Sequence, residues 1–161
     1  MMDGQLSIRS LEPADAPALS ALFQAQRGVY AHFFHPFNFD EAVIAAILSE
    51  LRHDVYMGMF WGGALIGFFM LRGWDAGYAD PAYGVLIDEQ YRGYGLAPLS
   101  LSMAKMICKT HGSPRIMLKV DPENDCAKTV FERARFTPAG VEARTGKLIY
   151  RFEIDDRRAK S

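Results

Sequence analysis

The segment Gln90-Tyr91-Arg92-Gly93-Tyr94-Gly95-Leu96-Ala97 stands between a compact apolar run, Tyr83 to Asp88 (YGVLID), and a helix-like stretch, Pro98 to Gly112 (PLSLSMAKMICKTHG). A helix N-terminus carries backbone N–H groups with no intrahelical partner and the positive end of the helix dipole. Glycines placed just before it let the chain turn sharply and let a phosphate approach the backbone. Arg92 adds a planar cation whose fork matches phosphate oxygens. The segment is therefore suited to hold a pyrophosphate. A tight strand-to-helix turn that needs glycine only for its dihedrals would explain a lone G-x-G equally well. Two familiar phosphate loops are excluded. GxxxxGK(S/T) is absent, and G-x-G-x-x-G fails because Leu96, Ala97 and Pro98 follow Gly95. Asp121, after the next strand, does not rescue that pattern.

Other groups able to do chemistry are few. Asp75, Asp80 and Tyr83 lie before or at the start of the apolar run. His32 and His35, in HFFHPF, titrate in the range useful for proton transfer. With no third ligand nearby they do not argue for a metal. Cys108 and Cys126 lack metal spacing and are too few for a disulfide framework. They read as reduced, buried thiols of a cytoplasmic protein, and neither has the context of an acyl carrier. Tyr30, Phe33, Phe34, Phe37 and Phe39 make the same region rich in aromatic rings.

The elements that must position these residues can be read from the hydrophobic pattern. Leu6 to Arg9 is a short strand. A helix follows with Pro13 and Asp15 in its first turn and Leu19, Leu22 and Phe23 on one face. A second helix starts at Asp40 as N-cap, with Ile44, Ile47, Leu48 and Leu51 as its apolar stripe. Val55 to Trp61 and Ala64 to Leu71 form a hairpin around Gly62-Gly63, and Tyr83 to Ile87 is a central strand. The next helix places Leu96, Leu99, Met103, Met106 and Ile107 on one face and stops at Gly112. Arg115 to Val120 is a strand. CAKTVFERA is a helix with Ala127, Val130, Phe131 and Ala134 inward. Two antiparallel strands then close the chain.

This order predicts an α/β protein with a mixed, mostly antiparallel twisted sheet of six to seven strands and helices on both faces. The strands around residues 83–88 and 115–120 are expected to be parallel, joined by a right-handed crossover. The chain has 161 residues, half of them hydrophobic, and a formal net charge of -1. We expect a single domain over 1–161 with a frayed tail at 155–161. A near-neutral charge implies no nucleic-acid partner and no attraction to an anionic membrane. Residues 56–71 are too few for a membrane span and are broken by Gly62-Gly63. MMDGQLSIRS lacks the apolar region of a secretion signal.

The loop resembles that of the GNAT N-acetyltransferases. Arg92 to Ala97 matches the family's (Gln or Arg)-x-x-Gly-x-(Gly or Ala), and Gln90 to Gly95 satisfies it in an overlapping register. Val120 to Ala127 resembles the family's V-x-x-x-N-x-x-A element, and Phe131 to Phe136 stands where the family usually writes Y-E-K-L-G-F. The element order from about residue 6 to 154 agrees. The resemblance implies acetyl-CoA as co-substrate, with no metal. Its pyrophosphate would sit on the amides of Tyr91, Arg92, Gly93, Tyr94, Gly95, Leu96 and Ala97. The pantetheine arm would run along Leu86, Ile87 and Asp88, filling a splay between the two parallel strands. Asn124 would touch the arm or the phosphates, or else cap the following helix.

In this family a tyrosine generally protonates the departing thiolate. Here that position is Phe131, and Arg135 replaces the family's glycine. Asp80 and Tyr83 occupy the region where the family often keeps a glutamate, and the segment with His35 corresponds to part of the acceptor wall. His35, Asp80 and Tyr83 are accordingly the catalytic candidates. The activity implied is acetyl transfer to a primary amine by direct attack in a ternary complex. FHPF followed by FD resembles acetyltransferases acting on amino sugars, which implies a small-molecule acceptor such as an amino sugar. No acidic run marks a groove for polycations, and an aminoglycoside or a protein N-terminus stays open as acceptor. The family often forms homodimers. The competing reading, favoured by Phe131, is a non-catalytic acyl-CoA sensor or partner-binding module.

Overall fold

The computed structural model of the chain describes residues 4–26 and 37–154. The strands are β1 (Leu6–Ser10), β2 (Val55–Trp61), β3 (Ala64–Arg72), β4 (Ala82–Ile87), β5 (Arg115–Val120), β6 (Thr137–Val141) and β7 (Leu148–Glu153). The helices are α1 (Ala16–Ala25), α2 (Glu41–Ser49), α3 (Leu96–His111) and α4 (Asp125–Arg133), with short 3-10 turns at Pro13–Asp15 and Glu89–Tyr91.

The strands form one seven-stranded sheet in the order β1-β2-β3-β4-β5-β7-β6, with β4 at its centre. It is mostly antiparallel. The one parallel pair is β4 with β5, registered at Ala82 and Met117, where the Met117 N–H donates to the Pro81 carbonyl at 3.0 Å. Strand β7 lies between β5 and β6, antiparallel to both. This mixed sheet flanked by helices agrees with the fold read from the pattern.

The local reasons are the expected ones. Gly62 and Gly63, at φ +56° and +85°, make the turn of the β2–β3 hairpin. The Asp40 side chain accepts from the Ala42 N–H at 2.9 Å and caps α2. Ahead of α1, the Asp15 carboxylate takes the Glu12 N–H and two Arg9 guanidinium bonds, all at 2.8 Å. The Arg9 bonds, foremost among its surroundings, hold Asp15 below its ordinary range.

The chain gathers into two compact units, Met1–Met70 with Gly84–Leu96 and Leu71–Tyr83 with Ala97–Ser161. In the first, Leu19, Phe23, Ile44, Tyr56, Phe68 and Leu86 are buried together. Phe23 stacks on Phe39 at 4.5 Å and meets Phe68 edge-on at 5.3 Å. In the second, Leu101, Ala104, Ile116, Leu118, Phe136 and Tyr150 are buried.

Two expectations are corrected. The apolar stripe of α3 is not its inner face, because Leu99 and Met106 are 40% and 61% exposed. The buried positions are Leu96, Ser100, Leu101, Ala104 and Cys108. Ser100, Ala104 and Cys108 are spaced four apart, so small and polar residues hold the helix close to its neighbours. Cys126 is exposed, in the first turn of α4 on the side away from Phe131. Cys108 is buried as expected, and that burial pushes its thiol up to about 12.

Candidate active site

The loop after β4 is built by its own polar groups. The Asp88 N–H donates to the Ile66 carbonyl at 2.8 Å, continuing the contact with β3. The Asp88 carboxylate accepts from the Gln90 N–H at 2.9 Å, and its carbonyl accepts from the Tyr91 N–H at 2.9 Å. The Glu89 N–H donates to the buried amide oxygen of Gln26 at 3.0 Å, and Gln26 in turn donates to Leu22 in α1. The 3-10 turn is thus pinned before the glycines begin. Because the Asp88 and Tyr91 N–H groups are already used, an anion on this loop would be received from Arg92 onwards.

Gly93 and Gly95 both take left-handed dihedrals, φ +83° and +84°. A Cβ added at either would meet no heavy atom within 4 Å. Glycine is therefore required here by dihedral rather than by crowding, and the space beside the backbone is open. Tyr94, between them, is exposed. Leu96 anchors the loop by burial, and α3 begins there with the unpartnered N–H groups of a helix start. Pro98 in that first turn forfeits no helical hydrogen bond. Arg92 lies 3.9 Å from Glu89, an exposed pair that leaves the guanidinium at the surface.

Strand β4 shows which backbone groups lead away from β3. The Asp88 N–H and the Leu86 carbonyl point to β3, the latter lying 3.2 Å from where a Gly67 Cβ would be. Strand alternation then turns the backbone groups of Val85 and Ile87 to the other side. Val85 was missed as a site candidate. The alternation could have found it, given one known hydrogen bond to set the phase. The side chains of Leu86 and Ile87 are buried.

The remaining candidates are dispersed. Asp80 faces the Arg115 guanidinium at 3.6 Å, which also faces Glu153 at 3.6 Å, so this carboxylate stands in an ion-pair cluster. Tyr83 is buried, with its hydroxyl 2.5 Å from Ser100 Oγ and its ring edge-on to Phe131 at 6.3 Å. Phe131 is buried and also touches Phe136. Asn124 caps α4, its side chain accepting from the Ala127 N–H at 3.2 Å. His35 lies outside the described residues, as do Tyr30, His32, Phe33, Phe34 and the tail at 155–161.

Arg135 has φ +70°, the only left-handed residue other than glycine among the described residues. It follows α4, and the Phe136 N–H reaches back to the Phe131 carbonyl at 3.0 Å, the closure of a helix C-terminus that favours glycine. Arg135 therefore adopts a conformation that glycine takes most readily.

The acetyltransferase (GNAT) domain family matches residues 5–137, and the chain belongs to that family. It is an acetyl-CoA-dependent acetyltransferase by that membership. Solved structures share the fold at low identity. An N-acetyltransferase from Staphylococcus aureus Mu50 is 19% identical, with 94% of this chain and 99% of that one covered at a TM-score of 0.74. The PaiA N-acetyltransferase of Thermoplasma acidophilum, solved in complex with coenzyme A, is 16% identical, with 92% and 99% covered at 0.78. The ribosomal-protein-S18-alanine N-acetyltransferase of Escherichia coli is 18% identical, with 94% and 96% covered at 0.72. No curated protein matches the sequence significantly. No helix among the described residues is long and apolar enough to cross a membrane.

Proposed function

We propose that this chain moves an acetyl group from acetyl-CoA to a primary amine by direct attack in a ternary complex, acting in the cytoplasm on a small-molecule acceptor such as an amino sugar. The observation that carries the reading is the pair of left-handed glycines opening onto free space where the loop runs into α3. The diphosphate of acetyl-CoA binds the N–H groups from Arg92 to Ala97, and Arg92 supplies a neutralising charge. The pantetheine arm follows β4 on the side to which Val85 and Ile87 turn their backbone. A backbone N–H on that side of β4 receives the oxyanion of the tetrahedral intermediate.

The attacking amine must be neutral, which requires a base. His35 is our first candidate and Asp80 the second, its pairing with Arg115 favouring a structural role. Phe131 has no proton for the departing sulfur. An alkyl thiol with a pKa of roughly 8.5 is already a tolerable leaving group near neutral pH. Water therefore suffices as the proton source.

Similarity in fold to an enzyme named for acetylating a ribosomal-protein alanine puts a protein N-terminus beside small amines as an acceptor to be screened. The test is incubation with acetyl-CoA and a panel of amino sugars, aminoglycosides, amino acids and N-terminal peptides, reading released thiol. Turnover with one class identifies the acceptor. Tight acetyl-CoA binding with no release above background hydrolysis across the panel would establish the sensor reading instead.

A further inference from the structure

Ser100 is polar yet 0% exposed, one turn inside α3. Its Oγ donates to the Ala97 carbonyl at 2.8 Å and lies 2.5 Å from the Tyr83 hydroxyl. A serine hydroxyl has one hydrogen, and a carbonyl can only accept. With that hydrogen committed to Ala97, Tyr83 must be the donor. The chain of bonds runs one way, from the Tyr83 O–H to Ser100 Oγ and from the Ser100 O–H to the Ala97 carbonyl. Its start is on β4, and its end is Ala97, the second residue of α3. Tyr83 is 5% exposed and is braced by the edge-on ring of Phe131, so the phenol has little freedom to turn elsewhere.

We propose that Tyr83 and Ser100 are positioning residues, a strut that holds the first turn of α3 to β4 so that its N–H groups are already aimed when the coenzyme's diphosphate arrives. This rests on the reading of that loop as the coenzyme site, and it assigns Tyr83 a role other than proton transfer. The phenolic proton is engaged in the strut and is not held toward a leaving thiolate. Without either hydroxyl, the turn must be ordered at the expense of binding energy, so the loss falls on coenzyme affinity rather than on the chemical step.

The experiment compares wild type, Tyr83→Phe, Ser100→Ala and the double variant. It uses calorimetry with coenzyme A, followed by steady-state kinetics with the acceptor found in the screen. Tyr83→Phe keeps the ring and its packing, so that variant retains the fold even where Ser100→Ala does not. Each single variant is expected to weaken coenzyme A binding roughly three- to tenfold, the scale of one neutral hydrogen bond. The double variant should be no weaker than the worse single, since breaking one link already releases the strut. At saturating acetyl-CoA, kcat and both limbs of the pH–rate profile should be retained. Affinity unchanged within twofold in Tyr83→Phe, with only a lowered Tm, would reduce the pair to an ordinary core hydrogen bond. A collapse of kcat with loss of a limb of the profile would make Tyr83 the proton donor. Either result overturns the proposal. Absence of binding by the wild type would overturn the coenzyme reading as well, and so is distinguishable from failure of the strut alone.

Discussion

Gly95→Ala separates a phosphate cradle from a simple tight turn. Gly95 sits at φ +84°, where an L-residue costs about 1–2 kcal/mol. The added methyl meets no atom within 4 Å, so no steric penalty joins that cost. For a chain of this size the Tm should fall by about 2–8 °C. This dihedral cost is present in the free and the bound protein alike, so it cancels in the dissociation constant. Any loss of affinity therefore reports a ligand that approaches the backbone where the methyl now stands. We expect coenzyme A to bind at least about tenfold more weakly by calorimetry, or about 1.4 kcal/mol. Gly63→Ala is a matched control, because that hairpin glycine has φ +85° and equally open surroundings. It should lower Tm by a similar amount and leave the affinity unchanged. If Gly95→Ala behaves like Gly63→Ala, with affinity within twofold of wild type, the loop is only a turn and the reasoning fails.

Three further predictions follow from particular contacts. Phe131→Tyr places a proton donor at the family's position; because water already protonates the sulfur, kcat measured by thiol release should stay within about twofold of wild type, and a clear rise would show that proton donation limits turnover. Arg135→Gly relieves a left-handed dihedral and removes a positive charge that, after burial, helps hold Lys105 below its ordinary range. It should raise Tm by about 2–4 °C, corresponding to about 1 kcal/mol, and a fall would mean that the arginine makes compensating contacts. Asp15 is held low chiefly by its bonds to Arg9, so its contribution is full above its unfolded pKa and is lost as pH falls through the lower folded value. The Tm deficit of Arg9→Ala should accordingly be largest near pH 7 and shrink below about pH 4, and a deficit independent of pH would place the effect in the stacking of Arg9 on Phe60.

The sequence alone determined what local chemistry controls. The Gly62-Gly63 turn, the Asp40 cap, the end of α3 at Gly112 and the glycine loop each depend on neighbours a few residues away. Their dihedrals and caps are written in residue type. The order of strands and helices, and the pattern of Arg92 to Ala97 and Val120 to Ala127, were legible for the same reason.

Tertiary structure decided what depends on a distant partner. The periodicity of α3 pointed to Leu99 and Met106, yet the buried face carries Ser100 and Cys108. Hydrophobic pattern cannot foresee that a serine is satisfied by a tyrosine hydroxyl from a strand 17 residues earlier. In the same way, Tyr83 and Asp80 looked alike as catalytic groups near one strand end. The fold ties the first to Ser100 and the second to Arg115. A side chain's chemistry is set by the partner that holds its proton or its charge, and only folding brings that partner within reach.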